Sequence, residues 1–147
     1  MPASDDSLLF LRAPRALHRA AIRQFRKRLQ DEVCHGSRFT ALITGDEELR
    51  RLNRQFLGKD YATDVLSFPS RDGDRIGDIA ISVDRAREQA AERGHALETE
   101  ISILMLHGAL HLMGMDHEKD RGRMARAETL WRKRLGLPAG LIERVRK

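Results

Sequence analysis

Three of the chain's six histidines stand close together in the segment HGALHLMGMDH, residues 107–117. His107 and His111 are four residues apart in an apolar segment that predicts an α-helix. Four residues turn a helix by about 400°, so both imidazoles lie on one face with their Cβ atoms about 6 Å apart. Gly114 can adopt a left-handed conformation and bring His117 back toward the same point. This spacing predicts a site in which three imidazoles hold one metal ion.

The predicted site leaves a fourth coordination position open, as a catalytic zinc ion requires. The alternative is that the three histidines have unrelated structural roles. That is less favoured, because burying several imidazoles without partners at one apolar helix end costs free energy. His18, His35 and His95 have no neighbours at ligand spacing, so we predict surface or capping roles for them. We expect one zinc ion per chain, although imidazole also suits nickel, copper and iron.

Gly108 separates this segment from the zinc proteases that it otherwise matches. The spacing H-x-x-x-H-x-x-G-x-x-H is that of the metzincin metalloproteases, which carry glutamate directly after the first histidine. That glutamate takes a proton from zinc-bound water, and positioned acid–base groups contribute about 10²–10⁴-fold to a rate. Because glycine has no such group, a metalloprotease-like hydrolase is a less favoured interpretation.

Composition and charge indicate one globular domain, spanning residues 1–147, with an anionic partner. The net charge is +5 and charged residues make up 33% of the chain, which is compatible with nucleic acid but fixes no reaction. Cys34 is the single cysteine, so no internal disulfide can form and a reducing cytoplasm is expected. We find no targeting segment, and no apolar stretch reaches the ~20 residues that a membrane span needs.

Hydrophobic periodicity predicts the order strand, helix, strand, helix, two strands and three helices. The predicted strands cover residues 8–12, 38–44, 65–69 and 77–83; the predicted helices cover 15–33, 47–57, 85–93, 97–113 and 122–135. This order predicts an α/β (α+β) fold with a small mixed four-stranded sheet, about five helices and a zincin-like metal-site helix. The helix at 97–113 should be the most buried, because it is apolar nearly all round.

Several details of these elements are also predicted. Asp46 and Asp84 should cap the helices that follow them. The second helix should bury a stripe of Leu49, Leu52 and Phe56. The methionines at 105, 113, 115 and 124, and Trp131, should fill the core. Seven basic residues between Arg12 and Arg28, with no acidic residue among them, form either a solvated helix face or an RNA-facing patch.

Two further motifs stand upstream of the histidine segment: GKDYATDVLSFP at 58–69 and GDIAIS at 77–82. With HGALHLMGMDH, and in this order, they resemble the YbeY family, bacterial endoribonucleases of ribosomal RNA maturation. The resemblance covers about residues 38–135. It implies one zinc ion bound by His107, His111 and His117, and cleavage of single-stranded RNA. It also implies a role in 3′-end maturation of 16S ribosomal RNA and in ribosome quality control, with the small ribosomal subunit and the GTPase Era as partners.

The chain departs from the family at Leu57, where family members usually have an arginine. Leucine cannot stabilise phosphate charge, and Arg51, Arg54 and Lys59 are the candidates to contact RNA in its place. Lys59 is also the one candidate for a catalytic side chain. The sequence does not distinguish between zinc-bound water and the RNA 2′-hydroxyl as the nucleophile.

The acidic residues around the motifs allow more than one role. Asp116 either orients an imidazole or forms a turn. Asp60, Thr63 and Asp64 are expected to form a turn, and the alternative is that they line the cleft. If Asp116 or Glu118 closed the fourth zinc position, the zinc would be structural, and the protein would be a non-catalytic ribosome assembly factor.

Overall fold

One four-stranded mixed sheet forms the centre of the computed structural model, which describes residues 7–116 and 119–138. Its strands are β1 (Leu8–Phe10), β2 (Arg38–Thr44), β3 (Val65–Asp72) and β4 (Arg75–Ser82). They lie in the order β1-β2-β4-β3. The pairs β1–β2 and β2–β4 are parallel, and β3–β4 is antiparallel. The mixed sheet and the predicted order of elements are confirmed.

Five α-helices accompany the sheet in the described residues. They are α1 (Arg19–Arg28), α2 (Asp46–Leu57), α3 (Val83–Arg93), α4 (Leu97–Leu112) and α5 (Arg123–Arg134), and a π-helical turn (Leu29–Val33) continues α1. The prediction that the first helix begins at residue 15 is wrong. Pro14 and Leu17 close a separate turn, in which the Leu17 N–H donates to the Pro14 carbonyl at 3.1 Å.

The hairpin of β3 and β4 is longer than the sequence predicted, because Pro69 does not end its strand. Pro69 lies opposite Gly77 in the ladder, and pairing resumes at Asp72 and Arg75. Since β3 is an edge strand, only one side of it must supply ladder hydrogen bonds, and an edge tolerates a proline.

The two predicted aspartate caps are wrong. Gly45 is the N-cap of α2, and Ser82 caps α3 by accepting a hydrogen bond from the Arg85 N–H at 3.1 Å. Asp84 instead accepts the Asp46 N–H at 2.8 Å, and Ser82 Oγ donates to the Asp46 carboxylate at 2.6 Å. Each aspartate therefore serves the start of the other helix, a contact that exists only after the two helices meet.

The core is built around α4, as predicted. Twelve of its sixteen residues are buried, and it packs against the sheet, α1, α3 and α5. Met105 and Met124 are fully buried, whereas Met113, Met115 and Trp131 pack on the core while partly exposed. The core roles predicted for these residues are confirmed.

The apolar stripe predicted for α2 is only partly buried. Leu49 is fully buried, but Phe56 is 59% exposed, and its ring meets Phe68 edge-to-face with 5.6 Å between centroids. The helix covers only part of this sheet face and leaves a groove of about 330 Å³, lined mainly by apolar side chains that include Leu9, Leu42 and Leu52.

Six of the seven basic residues in segment 12–28 are exposed, and the segment is helical only from Arg19 onward. Lys27 and Arg28 form ion pairs one turn along the helix at 2.9 and 2.7 Å, and Arg19 and Arg23 lie over the Phe10 ring. Arg26 is buried and donates to the Phe39 carbonyl at 3.3 Å, so it cannot belong to a surface patch. Within the described residues, no helix is long and apolar enough to cross a bilayer.

Candidate functional site

His107 and His111 meet on one face of α4, as their spacing predicted. Their ring centroids are 4.8 Å apart and the ring planes are inclined at 75°. The helix ends at Leu112, and Gly114 follows with φ +89°, which is the predicted left-handed turn. His117 lies outside the described residues, so its place as the third ligand stays a prediction.

The two imidazoles line a cleft of about 530 Å³ between the end of α4 and the start of β3. Its lining on the strand side includes Thr63, Asp64 and Ser67, and Asp116 lines it after the glycine turn. Thr63 and Asp64 thus take the cleft-lining alternative. Gln89 of α3 donates to the Asp64 carboxylate at 3.2 Å and holds it in place.

Close packing of α4 on the sheet explains the glycine after the first histidine. A Cβ at Gly108 would lie 2.9 Å from Ile79 Cγ2 and 3.2 Å from Ser67 Oγ. Ser67 Oγ also donates to the Gly108 carbonyl at 3.1 Å, which ties β3 to the helix. Position 108 therefore faces the sheet at a point with no room for a glutamate, and the close approach places the histidines beside β3.

Glu128 of α5 joins the site, and the sequence reasoning missed it. Its Oε2 lies 2.9 Å from His107 Nδ1, and the residue is only 1% exposed. This separation is that of a hydrogen bond between the carboxyl group and the ring nitrogen. One signal was available in the sequence: Glu128 follows Met124 by four residues on the buried stripe of its helix, and a buried acid needs a partner.

The residues present fit a metal ion. Two imidazoles one helical turn apart, one of them held by a buried carboxylate, form the donor arrangement that zinc sites use. Among the described residues, no group of three histidine, cysteine, aspartate or glutamate side chains is placed to hold an ion. A complete site would need a ligand such as His117.

The candidate RNA-contact residues lie apart from this cleft, on α2 and just after it. Arg51 pairs with Glu48 at 2.7 Å, and Arg54 lies 3.8 Å from Asp60. Lys59 is exposed. None of the three basic side chains is among the described residues that line the cleft, so their contact with RNA, and a catalytic role for Lys59, stay predictions.

Asp60 fixes the loop between α2 and β3 rather than lining the cleft. It accepts from Arg50 Nε at 2.9 Å and from Nη2 at 3.2 Å, and the hydrogen bond from Arg50 lowers the pKa of its carboxyl. Buried Asn53 adds a second attachment by donating to the Tyr61 carbonyl at 2.9 Å. Asp60 thus acts through its side-chain pair with Arg50, and the turn-forming role expected for it stays a prediction.

Comparison with known proteins gives one consistent result. A family model described as Endoribonuclease YbeY matches residues 12–136. The protein named Endoribonuclease YbeY in Solibacter usitatus is 66% identical over 140 residues, which is 95% of each chain. Its namesake in Koribacter versatilis is 56% identical over 106 residues, covering 72% of this chain and 70% of the relative.

A solved structure also matches the fold. The solution structure of a Thermotoga maritima protein aligns with a TM-score of 0.57 at 25% identity, covering 84% of this chain and 85% of the other. The predicted mixed α/β class is therefore confirmed, and this neighbour shares it.

Proposed function

The chain belongs to the YbeY family of endoribonucleases, as its motifs predicted, and on that premise we propose that it cleaves single-stranded RNA with one zinc ion. The ion would be held by His107, His111 and His117. The observation that carries this proposal is the histidine pair itself, which lies 4.8 Å apart between ring centroids and lines an open cleft. We further propose that the whole chain, residues 1–147, acts as one domain.

The glycine after the first histidine favours a phosphodiester substrate over a peptide. The metzincin proteases carry their acid–base glutamate directly after the first histidine, and here Gly108 packs against Ile79 at that position. The chemistry that zinc supplies when bound is polarisation of a phosphoryl oxygen and a lowered pKa of water. That chemistry needs no glutamate at position 108.

The remaining work falls to side chains of this chain. Glu128 lies within hydrogen-bonding distance of His107 Nδ1, and Ser67 keeps β3 against the helix that carries the histidines. Thr63 and Asp64 offer polar contacts to a bound nucleotide at the strand side of the cleft. Either water or the RNA 2′-hydroxyl serves as the nucleophile, and cleavage products distinguish them, since attack by the 2′-hydroxyl leaves a cyclic phosphate.

We propose that the RNA is ribosomal. The role would be 3′-end maturation of 16S ribosomal RNA and ribosome quality control in the cytoplasm, together with the small ribosomal subunit and the GTPase Era. The net charge of +5 supports an anionic partner. Arg51, Arg54 and Lys59 would draw RNA toward the protein from the exposed end of α2, in place of the arginine that Leu57 replaces.

The test measures metal content and RNA cleavage on the same purified protein. The wild type should contain one zinc ion per chain and cut single-stranded RNA until a chelator removes the ion. The His111→Ala variant should lose both metal and cleavage. His18 is exposed and lies outside the cleft, so the His18→Ala variant should keep both.

Each other outcome is decisive. Wild-type protein without metal would overturn the site, and undiminished cleavage by His111→Ala would reveal a contaminating nuclease. Stoichiometric zinc without cleavage of any RNA would indicate a non-catalytic assembly factor. Cleavage of casein but not of RNA would indicate a metalloprotease.

A further inference from the structure

We propose that Glu128 is a positioning residue for the metal centre, which fixes the tautomer and ring orientation of His107. This inference rests on the proposed function, because it assigns Glu128 a task at the same histidine. Glu128 itself would touch neither the metal ion nor the RNA.

The tautomer follows from the chemistry of the contact. Glu128 Oε2 lies 2.9 Å from His107 Nδ1, and a carboxylate accepts hydrogen bonds without donating them. The proton of a neutral His107 therefore resides on Nδ1. Nε2, across the ring, then keeps its lone pair, which is the form of imidazole that binds a metal ion.

Burial makes the contact rigid. Glu128 is 1% exposed, and the His107 side chain is 9% exposed. Met124, one turn earlier on α5, is fully buried, so the helix that carries Glu128 is anchored in the core. A carboxylate without water around it is costly unless it is hydrogen-bonded, so Glu128 is strongly held to its partner.

A second buried glutamate provides a matched control. Glu100 on α4 is 0% exposed and also faces a histidine, with its Oε1 3.4 Å from His95 Nδ1. His95 does not line the cleft. The two pairs share residue types and a buried glutamate, and only one of them includes a cleft histidine.

The experiment compares Glu128→Gln with Glu100→Gln. Glutamine keeps the size of the side chain, but its amide can also donate, so it no longer dictates which nitrogen of His107 carries the proton. Zinc affinity, measured by competition with a chromogenic chelator, should fall by about 10–100-fold in Glu128→Gln. Glu100→Gln should bind zinc within about twofold of the wild type on the same scale.

A second measurement concerns the tautomer directly and does not depend on zinc or on any variant. In metal-free wild-type protein, at a pH where His107 is neutral, long-range ¹H–¹⁵N NMR should show the proton on Nδ1. A proton on Nε2 would overturn the inference, even if Glu128→Gln failed to fold.

The remaining outcomes separate this inference from the proposed function. A folded Glu128→Gln protein with wild-type zinc affinity would overturn the positioning role, and so would an equal loss of affinity in both variants. Wild-type protein that takes up no zinc and cuts no RNA would overturn the proposed function itself, whatever the NMR tautomer showed.

Discussion

A single missing side chain at position 108 shapes the centre of this molecule. The sequence alone presented Gly108 as the absence of a catalytic base, and the structure adds a packing reason for it. In the middle of a helix, glycine is less stable than alanine by about 0.5–1 kcal/mol. Here the glycine lets α4 approach Ile79 and Ser67 closely, which offsets its lower helix stability.

Gly108→Ala should therefore destabilise the protein, against the usual helix preference. The new methyl group would lie 2.9 Å from Ile79 Cγ2, and overpacking of this kind costs about 1–3 kcal/mol. We expect the free energy of unfolding in urea to fall by about 1–2 kcal/mol. In an Ile79→Ala background the same substitution should cost less or stabilise, and a gain in stability in the wild-type background would contradict the packing argument.

Residue-scale chemistry was predictable where it is local. His107 and His111 could be paired from the sequence because four residues make about one helical turn. Glu128 could not be assigned to His107, because that contact spans 21 residues and depends on how α5 packs against α4. The burial pattern of α5 marked Glu128 as unusual without naming its partner.

At the scale of elements, the order along the chain was predictable and several boundaries were not. The limits of β2, Arg38–Thr44, agree with the prediction because its flanking residues end the strand locally. The caps predicted for α2 and α3 were wrong. Asp84 accepts a hydrogen bond from the first residue of α2, and Asp46 accepts one from Ser82 at the start of α3. Local capping preferences do not include contacts between one helix and another, so they could not predict these hydrogen bonds.

The loop that follows α2 offers a prediction at this scale. Asp60→Asn should loosen residues 58–61 without changing the global unfolding free energy, because the bond to Arg50 is exposed and local. Faster amide exchange at Lys59 and Tyr61 is the measurement. Asp31→Asn, which removes an equally exposed partner of Lys27, is the control and should leave this loop unchanged.

The pH dependence of that loop follows from the lowered pKa of Asp60. Its carboxyl is held below its ordinary pKa by the hydrogen bond from Arg50. The attachment is therefore fully present above the unfolded-state pKa and is lost as the pH falls through the folded value. If the protection of the loop amides against hydrogen exchange did not change on acidification, Arg50 would not hold Asp60 in solution.

Across the whole molecule, the buried thiol of Cys34 couples folding to alkaline pH. Burial raises its pKa from 9.0 to about 11, although nearby Arg26 acts in the opposite direction. Between these two values the unfolded chain ionises its thiol while the folded chain keeps the proton. Stability should therefore decline as the pH rises through this window and be insensitive to Cys34 below it.

The difference between wild type and Cys34→Ala isolates this effect from the other groups that titrate at alkaline pH. Relative to its value at pH 9.0, the wild-type free energy of unfolding should fall by about 2 kcal/mol more than that of the variant by about pH 11. Equal slopes for the two proteins would contradict the burial of the thiol. Iodoacetamide should also label Cys34 slowly until denaturant is added.

The pairing of His107 with Glu128 also has a consequence for the time at which the protein is made. Translation runs from the amino terminus, so the sheet and both cleft histidines of α4 are synthesised before α5. A growing chain that stops short of residue 128 has the imidazoles but lacks the carboxylate that orients one of them. The contact between His107 and Glu128 therefore forms only after α5 has been made, later than the sheet and the helix that carries the histidines.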